Sequence, residues 1–448
     1  MSDEHAFDTQ ALIERMHARE ATVGIIGLGY VGLPLALALV ERDFSVVGFD
    51  IDEGKITELT AGRSYFSHID SGRVAGAVAS GRFEATGRFE RLGEPDAILI
   101  CVPTPLTSQR EPDLRFVKAT ARQLSGVLRK GQLVVLESTT YPGTTDEVLK
   151  PILEESGLVC GRDFLLAFSP EREDPGNPDF HTATIPKVVG GVDQASGEVA
   201  GALYGHVIDE IVRVTSARTA EAVKLTENIF RAVNIALVNE LKIVFDPMDV
   251  DVWEVLDAAD SKPFGFMKFS PGPGWGGHCI PIDPFYLTWK AREHGVQTKF
   301  IELAGEVNVH MPRYVINKLQ QALNSRKKAV NGSRILVLGI AYKRDVDDAR
   351  ESPAFVLIDR LEQLGAQVRF HDPYVPVLPP TRRWAHLTVT ESVELTPENI
   401  RGFDAVLLVT DHRNVDYELI ADHADLVVDT RGVYRSSDRS PRDNVIKA

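Results

Sequence analysis

The sequence predicts an α/β protein of two doubly wound, Rossmann-like domains joined by a long central helix. Three observations predict it. Residues 22–40 read as strand, glycine turn and helix; 216–245 contain neither proline nor glycine; and from residue 333 the strand, turn and helix grammar begins again. At 448 residues the chain exceeds what one core organises. The expected division is 1–214 for a dinucleotide-binding domain, 215–325 for a central helical region, and 326–448 for a second Rossmann-like domain.

In the first element, Thr22-Val-Gly-Ile-Ile26 reads as a buried strand, followed by Gly27-Leu-Gly29-Tyr30-Val31-Gly32 and an apolar helical run to Val40. In such a turn the first glycine makes the bend, the second admits a pyrophosphate and the third lets helix pack on strand. A second strand over 45–50 ends in Asp50, about 20 residues on, where a carboxylate binds the ribose hydroxyls of NAD and disfavours the 2′-phosphate of NADP. Short apolar runs at 97–102, 133–137 and 164–168 read as further strands covered on both faces. Two of them run into polar turns, one carrying Thr104 and the other Ser138-Thr139-Thr140-Tyr141-Pro142-Gly143, at strand ends where open parallel sheets bind ligands. The long helix carries Lys224 and Asn228 four apart on one face, and it is expected to span between domains. In the second Rossmann-like half, 334–339, 368–372, 405–409 and 426–429 read as strands.

The most reactive-looking stretch is Gly272-Pro-Gly-Trp-Gly276-Gly277-His278-Cys279-Ile-Pro-Ile-Asp283, a thiol behind four glycines with a carboxylate four residues beyond. Glycines admit positive φ angles and close approach, so a cysteine after them can face a cleft as a nucleophile. A small buried cysteine in an ordinary loop is the plainer alternative. Lys224, too, reads as a solvated surface charge unless its helix face looks onto substrate, where an ammonium and an amide stabilise developing negative charge. Glu171, in the loop after the strand at 164–168, and Lys343 and Arg350, after the first strand of the second sheet, read either as ligand contacts or as surface charges.

Composition narrows the functional classes. A net charge of −15 supplies no broad cationic face for nucleic acid or an anionic membrane. The acidic start, Met1-Ser-Asp-Glu-His, lacks a basic n-region with an apolar core, and no apolar run is long enough to span a bilayer, so a cytoplasmic location is expected. Three scattered cysteines make no disulfide framework, and no CxxC or HExxH pattern points to a metal.

GLGYVGLPLA, ESTTYPG, FSPEREDPGN, AEAVKLTEN, PGWGGHCIPIDP and AYKRDVDDARESP occur in the order seen in the nucleotide-sugar 6-dehydrogenases. From Ala21 to Tyr434 the chain resembles this UDP-glucose and GDP-mannose dehydrogenase superfamily. Ile282 stands where the UDP-glucose branch commonly has lysine, and His278 precedes Cys279; with SPEREDPG, these resemble the UDP-N-acetylglucosamine 6-dehydrogenases.

The resemblance implies NAD-dependent, four-electron oxidation of a sugar C6 alcohol to a carboxylate. Lys224, or a water held by Asp283, takes the first proton. Cys279 captures the aldehyde as a thiohemiacetal, which a second oxidation turns into a thioester. Lys224 and Asn228 stabilise the oxyanion, Glu171 acts as general base for hydrolysis, and Thr139 orients water. The resemblance also implies that Gly276 and Gly277 line the sugar site, Lys343 contacts the uridine diphosphate, Arg350 reaches the cofactor, and the long helix forms the core of at least a homodimer. Glu173 and Asp174 replace apolar residues of the UDP-glucose branch and receive no role. UDP-GlcNAc is the favoured substrate, with UDP-ManNAc, UDP-GalNAc, UDP-glucose and GDP-mannose as alternatives. Two other classes remain open: a two-electron dehydrogenase without covalent catalysis, and a non-catalytic NAD-binding regulator.

Overall fold

The computed structural model describes residues 7–66, 69–107, 109–172, 183–277, 280–379, 383–435 and 442–448. They fold as two compact units, Met1–Glu227 with Phe285–Val296, and Asn228–Pro284 with Gln297–Ala448.

The first unit holds, among the described residues, an eight-stranded sheet: β1 (Thr22–Ile26), β2 (Ser45–Phe49), β3 (Phe83–Thr86), β4 (Ala97–Ile100), β5 (Leu133–Leu136), β6 (Leu165–Phe168), β7 (Lys187–Gly191) and β8 (Ile211–Val214), in the order β3-β2-β1-β4-β5-β6-β7-β8. The unbroken apolar strands follow from burial on both faces. Leu133 and Val135 enter one core with Val23 and Ile25, whereas Val134 and Leu136 enter the other with Ile98 and Ile100. The strand order places the glycine turn after β1 at the switch between β2 and β4, where doubly wound sheets bind ligands. The sheet is parallel except at β7, which returns antiparallel to β6 with Phe168 opposite Gly190. Composition did not signal this strand, because two of its five residues are glycines.

The second unit holds a five-stranded parallel sheet, β9 (Arg334–Leu338), β10 (Gln367–His371), β11 (Ala405–Leu408), β12 (Val427–Asp429) and β13 (Val445–Lys447), in the order β10-β9-β11-β12-β13. Ile335 and Val337 face one core and Leu336 and Leu338 the other, so the Rossmann-like grammar predicted after residue 333 is present.

The long helix runs from Ala217 to Phe245, contributing its residues through Glu227 to the first unit and those from Asn228 to the second. A second helix of similar length, Lys299–Ser325, contains Pro312 in its interior and was not anticipated. No helix among the described residues is long and apolar enough to cross a membrane.

Candidate functional site

The turn after β1 is built so that only glycine fits at two of its positions. Gly27 has φ +94°, and a Cβ there would stand 2.5 Å from the Cys101 carbonyl oxygen. A Cβ at Gly32 would stand 1.9 Å from the Gly27 oxygen, so the helix Gly32–Val40 packs directly against the turn. Nothing lies within 4 Å of a Cβ built at Gly29, leaving the backbone open to an approaching phosphate. Tyr30 packs against Phe66, with ring centroids 4.3 Å apart, and Val31 precedes the helix. Asp50 follows β2 and is buried; its carboxylate accepts the Leu28 N–H at 2.9 Å and the Asp52 N–H at 3.0 Å, and pairs with Lys55 at 3.1 Å. Thr104, also buried, offers its carbonyl to the Tyr286 hydroxyl at 3.0 Å. These features fit a dinucleotide: an open backbone at Gly29, a helix N-terminus behind it and a carboxylate at the end of the next strand.

Lys224 is not the solvated charge that its sequence position allowed. Only 6% exposed, it donates to the Glu171 carbonyl oxygen and lies 3.5 Å from the Glu171 carboxylate. Glu171 follows β6, and one cavity of the first unit is walled by Val31 of the glycine turn together with Glu171, Arg172, Glu137 and Lys187. Arg172 holds this wall in place, pairing with Glu227 of the long helix at 2.6 Å and donating to the Pro186 carbonyl at 2.5 Å. Thr139 sits half-buried in the turn after β5.

Two buried carboxylates escaped the sequence. Glu221, one helical turn before Lys224, accepts the Gly143 N–H at 2.6 Å and both the N–H and hydroxyl of Thr145 at 2.8 and 2.7 Å. It thereby ties the Thr139-bearing turn to the helix carrying Lys224. Burial pushes its carboxyl up to about 7 despite those donors. Glu137 pairs with Lys187 at 2.6 Å and accepts the Tyr204 hydroxyl. Both acids stand in motifs quoted above, but a carboxylate's burial has no signal in single-sequence composition.

In the second unit, Asn228 donates to the Asp283 carboxylate at 2.5 Å, and both are buried. A hydrogen bond to a charged group of this kind contributes about 1.5–3 kcal/mol. The glycine-rich stretch packs closely: a Cβ on Gly276 would stand 3.0 Å from Tyr342 Cβ, and Gly277 has φ +83° with the Tyr342 ring 2.9 Å from a built Cβ. Arg431, unflagged by the sequence, donates to the Val409 carbonyl at 2.7 Å and lies beside Gly272. Lys343 occupies the turn after β9, and Arg350 forks onto Asp348 at 2.6 Å. His278, Cys279, Glu173 and Asp174 lie outside the described residues. The other cysteines are poor nucleophiles, since burial pushes the Cys160 thiol up to about 12 and the Cys101 thiol well above its ordinary value.

The structure therefore assembles two polar pairs, a part-buried one of Lys224 with Glu171 in one unit and a buried one of Asn228 with Asp283 in the other. Comparison with known proteins matches these regions to one family. Residues 21–208 match the NAD binding domain of the UDP-glucose/GDP-mannose dehydrogenase family, residues 218–310 its central domain and residues 336–436 its UDP binding domain. A UDP-N-acetyl-D-glucosamine 6-dehydrogenase from Pseudomonas aeruginosa is 37% identical, over 80% of this chain and 84% of its own. An NDP-N-acetyl-D-galactosaminuronic acid dehydrogenase from Ralstonia nicotianae is 36% identical, over 92% and 96%. Among solved structures, a UDP-D-ManNAc dehydrogenase from Pyrococcus horikoshii superposes with a TM-score of 0.84 at 32% identity, covering 95% of this chain and 98% of that one.

Proposed function

Because this chain belongs to the UDP-glucose/GDP-mannose dehydrogenase family of NAD-dependent oxidoreductases, we propose that it oxidises the C6 hydroxyl of a UDP-N-acetylhexosamine, preferentially UDP-GlcNAc, to the uronic acid. The observation that carries the proposal is the cavity shared by Val31 of the cofactor turn and Glu171, with Lys224 held on Glu171. It puts an acid, an ammonium and the cofactor turn within one unit. NAD⁺, when bound, supplies hydride acceptance, and complete oxidation of the alcohol to a carboxylate consumes two equivalents.

The chain's own residues do the rest. Gly27, Gly29, Tyr30, Val31, Gly32, Asp50 and Thr104 hold the cofactor, with Arg350 assisting. Lys343, Gly276 and Gly277 hold the nucleotide sugar. Lys224, or a water fixed by Asp283, removes the hydroxyl proton in the first oxidation. The Cys279 thiolate then adds to the aldehyde carbon, forming the C–S bond as the carbonyl oxygen becomes an oxyanion, which Lys224 and Asn228 stabilise. After the second oxidation leaves a thioester, Glu171 takes a proton from water, with Thr139 orienting it; the C–S bond breaks and the thiolate is restored. The first domain is assigned to 1–214, the cysteine-bearing and dimerising region to 215–325, and the UDP-sugar domain to 326–448.

The sugar assignment rests on His278, Ile282 and the SPEREDPG loop. A site that hydrogen-bonds an N-acetyl amide rejects an analogue lacking it. UDP-GlcNAc is expected to show a kcat/KM at least about tenfold above that of UDP-glucose, or roughly 1.4 kcal/mol of differential transition-state binding. A panel of UDP- and GDP-sugars read by NADH formation tests this, and equal or faster oxidation of UDP-glucose or GDP-mannose would overturn the sugar assignment.

Asp50 is expected to enforce NAD⁺ over NADP⁺. Removing its charge leaves Lys55, now 3.1 Å from it, available to a 2′-phosphate. Asp50→Ser should therefore raise kcat/KM for NADP⁺ while lowering that for NAD⁺, each by about tenfold or more. An unchanged cofactor ratio would remove Asp50 from this role.

A homodimer is supported by the long helix, where Phe230, Leu237 and Val244 recur every seven residues on one stripe and are 47%, 51% and 41% exposed. Light scattering should give twice the 49.4 kDa chain mass or a multiple of it, and Leu237→Asp should lower it; a monomeric wild type would refute the assignment.

A further inference from the structure

One buried histidine of the second unit is not used by the chemistry above. His412 follows β11, and only 1% of its side chain is exposed. Its Nε2 lies 3.1 Å from the Asp372 carboxylate, and its Nδ1 accepts the Asp345 N–H at 3.0 Å. A backbone N–H can only donate, so Nδ1 carries no proton and the imidazole proton resides on Nε2, facing Asp372. Asp372 is itself fixed at the end of β10. One oxygen accepts the Ile340 and Ala341 amides at 2.6 and 2.9 Å, and the other accepts the Tyr374 and Val375 amides at 2.8 and 3.0 Å.

What His412 holds is the turn after β9 that carries Lys343. Asp345 has φ +59°, a left-handed conformation that a non-glycine residue keeps only where its surroundings over-determine it. Those surroundings come from the turn after β11. Besides His412, Arg413 donates its N–H to the Asp345 carboxylate at 2.9 Å and its Nε at 2.5 Å, Arg344 pairs with Asp411, and Thr410 donates to the Ala341 carbonyl at 2.6 Å.

We propose that His412 is a positioning residue for nucleotide-sugar binding: its unprotonated Nδ1, backed by Asp372, captures the Asp345 N–H and holds the Tyr342–Asp345 turn in the shape that presents Lys343 to the diphosphate. It rests on the assignment of Lys343 as a UDP contact.

The test is calorimetric titration of the full chain with UDP-GlcNAc, without NAD⁺. In His412→Asn the amide oxygen stands where Nδ1 stands, keeping an acceptor for the Asp345 N–H. In His412→Gln the amide nitrogen stands where Nε2 stands, keeping only the donor to Asp372. His412→Asn should bind within about twofold of wild type, and His412→Gln should bind about tenfold more weakly. NAD⁺ titration of each variant should stay unchanged, and a circular dichroism spectrum and melting profile like those of wild type certify the fold. Wild-type affinity in His412→Gln would overturn the proposal, because a role confined to partnering Asp372 predicts it, and equal losses in the Gln and Asn variants would overturn it too, because a general packing role predicts them. Should His412→Gln not fold, a loss of about tenfold or more in His412→Asn would overturn it. Lys343→Ala separates the two ideas. If it binds normally, the assignment of Lys343 fails and the proposal with it; if it weakens binding while the His412 variants do not, the proposal alone fails.

Discussion

Cys279→Ser is expected to lower steady-state formation of the uronic acid by at least about a thousandfold while leaving the affinities for NAD⁺ and nucleotide sugar within a few-fold of wild type. A serine hydroxyl at neutral pH is almost wholly protonated and is a far weaker nucleophile than a thiolate, so the aldehyde is not captured. Neither remaining cysteine can substitute. Cys101 and Cys160 are both pushed away from the thiolate by burial. The assay is carboxylate product by chromatography alongside binding by titration. Product at the wild-type rate would remove the covalent mechanism.

Lys224→Ala carries the second large effect. Lys224 is 6% exposed and its Nζ is held on the Glu171 carbonyl, so the amine can take the first proton as a neutral base and, as the ammonium so formed, stabilise the later oxyanion. Loss of one such oxyanion donor costs about 100- to 1000-fold in kcat, and double duty in proton removal places the loss at the upper end. KM for the sugar should move little, since the charge being stabilised develops only during reaction. A kcat within a factor of about two of wild type would exclude Lys224 from both steps.

How far the sequence could carry these assignments differed by element. The central strands of both sheets were legible because they are buried on two faces, Val134 and Val135 going to opposite cores in a run that stays apolar throughout, whereas β3, β8 and β13, partly exposed at sheet edges, were not read. The long helix was legible from the absence of proline and glycine over 216–245. The Lys299–Ser325 helix was not, because Pro312 reads as a break, and neither was β7, where glycines and an antiparallel return hide the strand. The glycine turn declared itself by spacing, and the structure supplies the separate steric reason for Gly27 and Gly32. Glu221, Glu137 and His412 were silent. Their partners lie 78, 50 and 67 positions away in Gly143, Lys187 and Asp345, so only the folded chain distinguishes a buried positioning group from a surface charge. Lys224 shows the same limit in the other direction. A lone helical lysine reads as solvated, and burial against Glu171 is what makes it a candidate.

The most direct test of the central claim counts cofactor. With limiting UDP-GlcNAc, excess NAD⁺ and the wild-type enzyme carried to completion, two NADH should form for every carboxylate produced, with no free aldehyde trapped by a carbonyl reagent. One NADH per sugar, with an aldehyde or ketone as the end product, would contradict oxidation through a cysteine-bound intermediate.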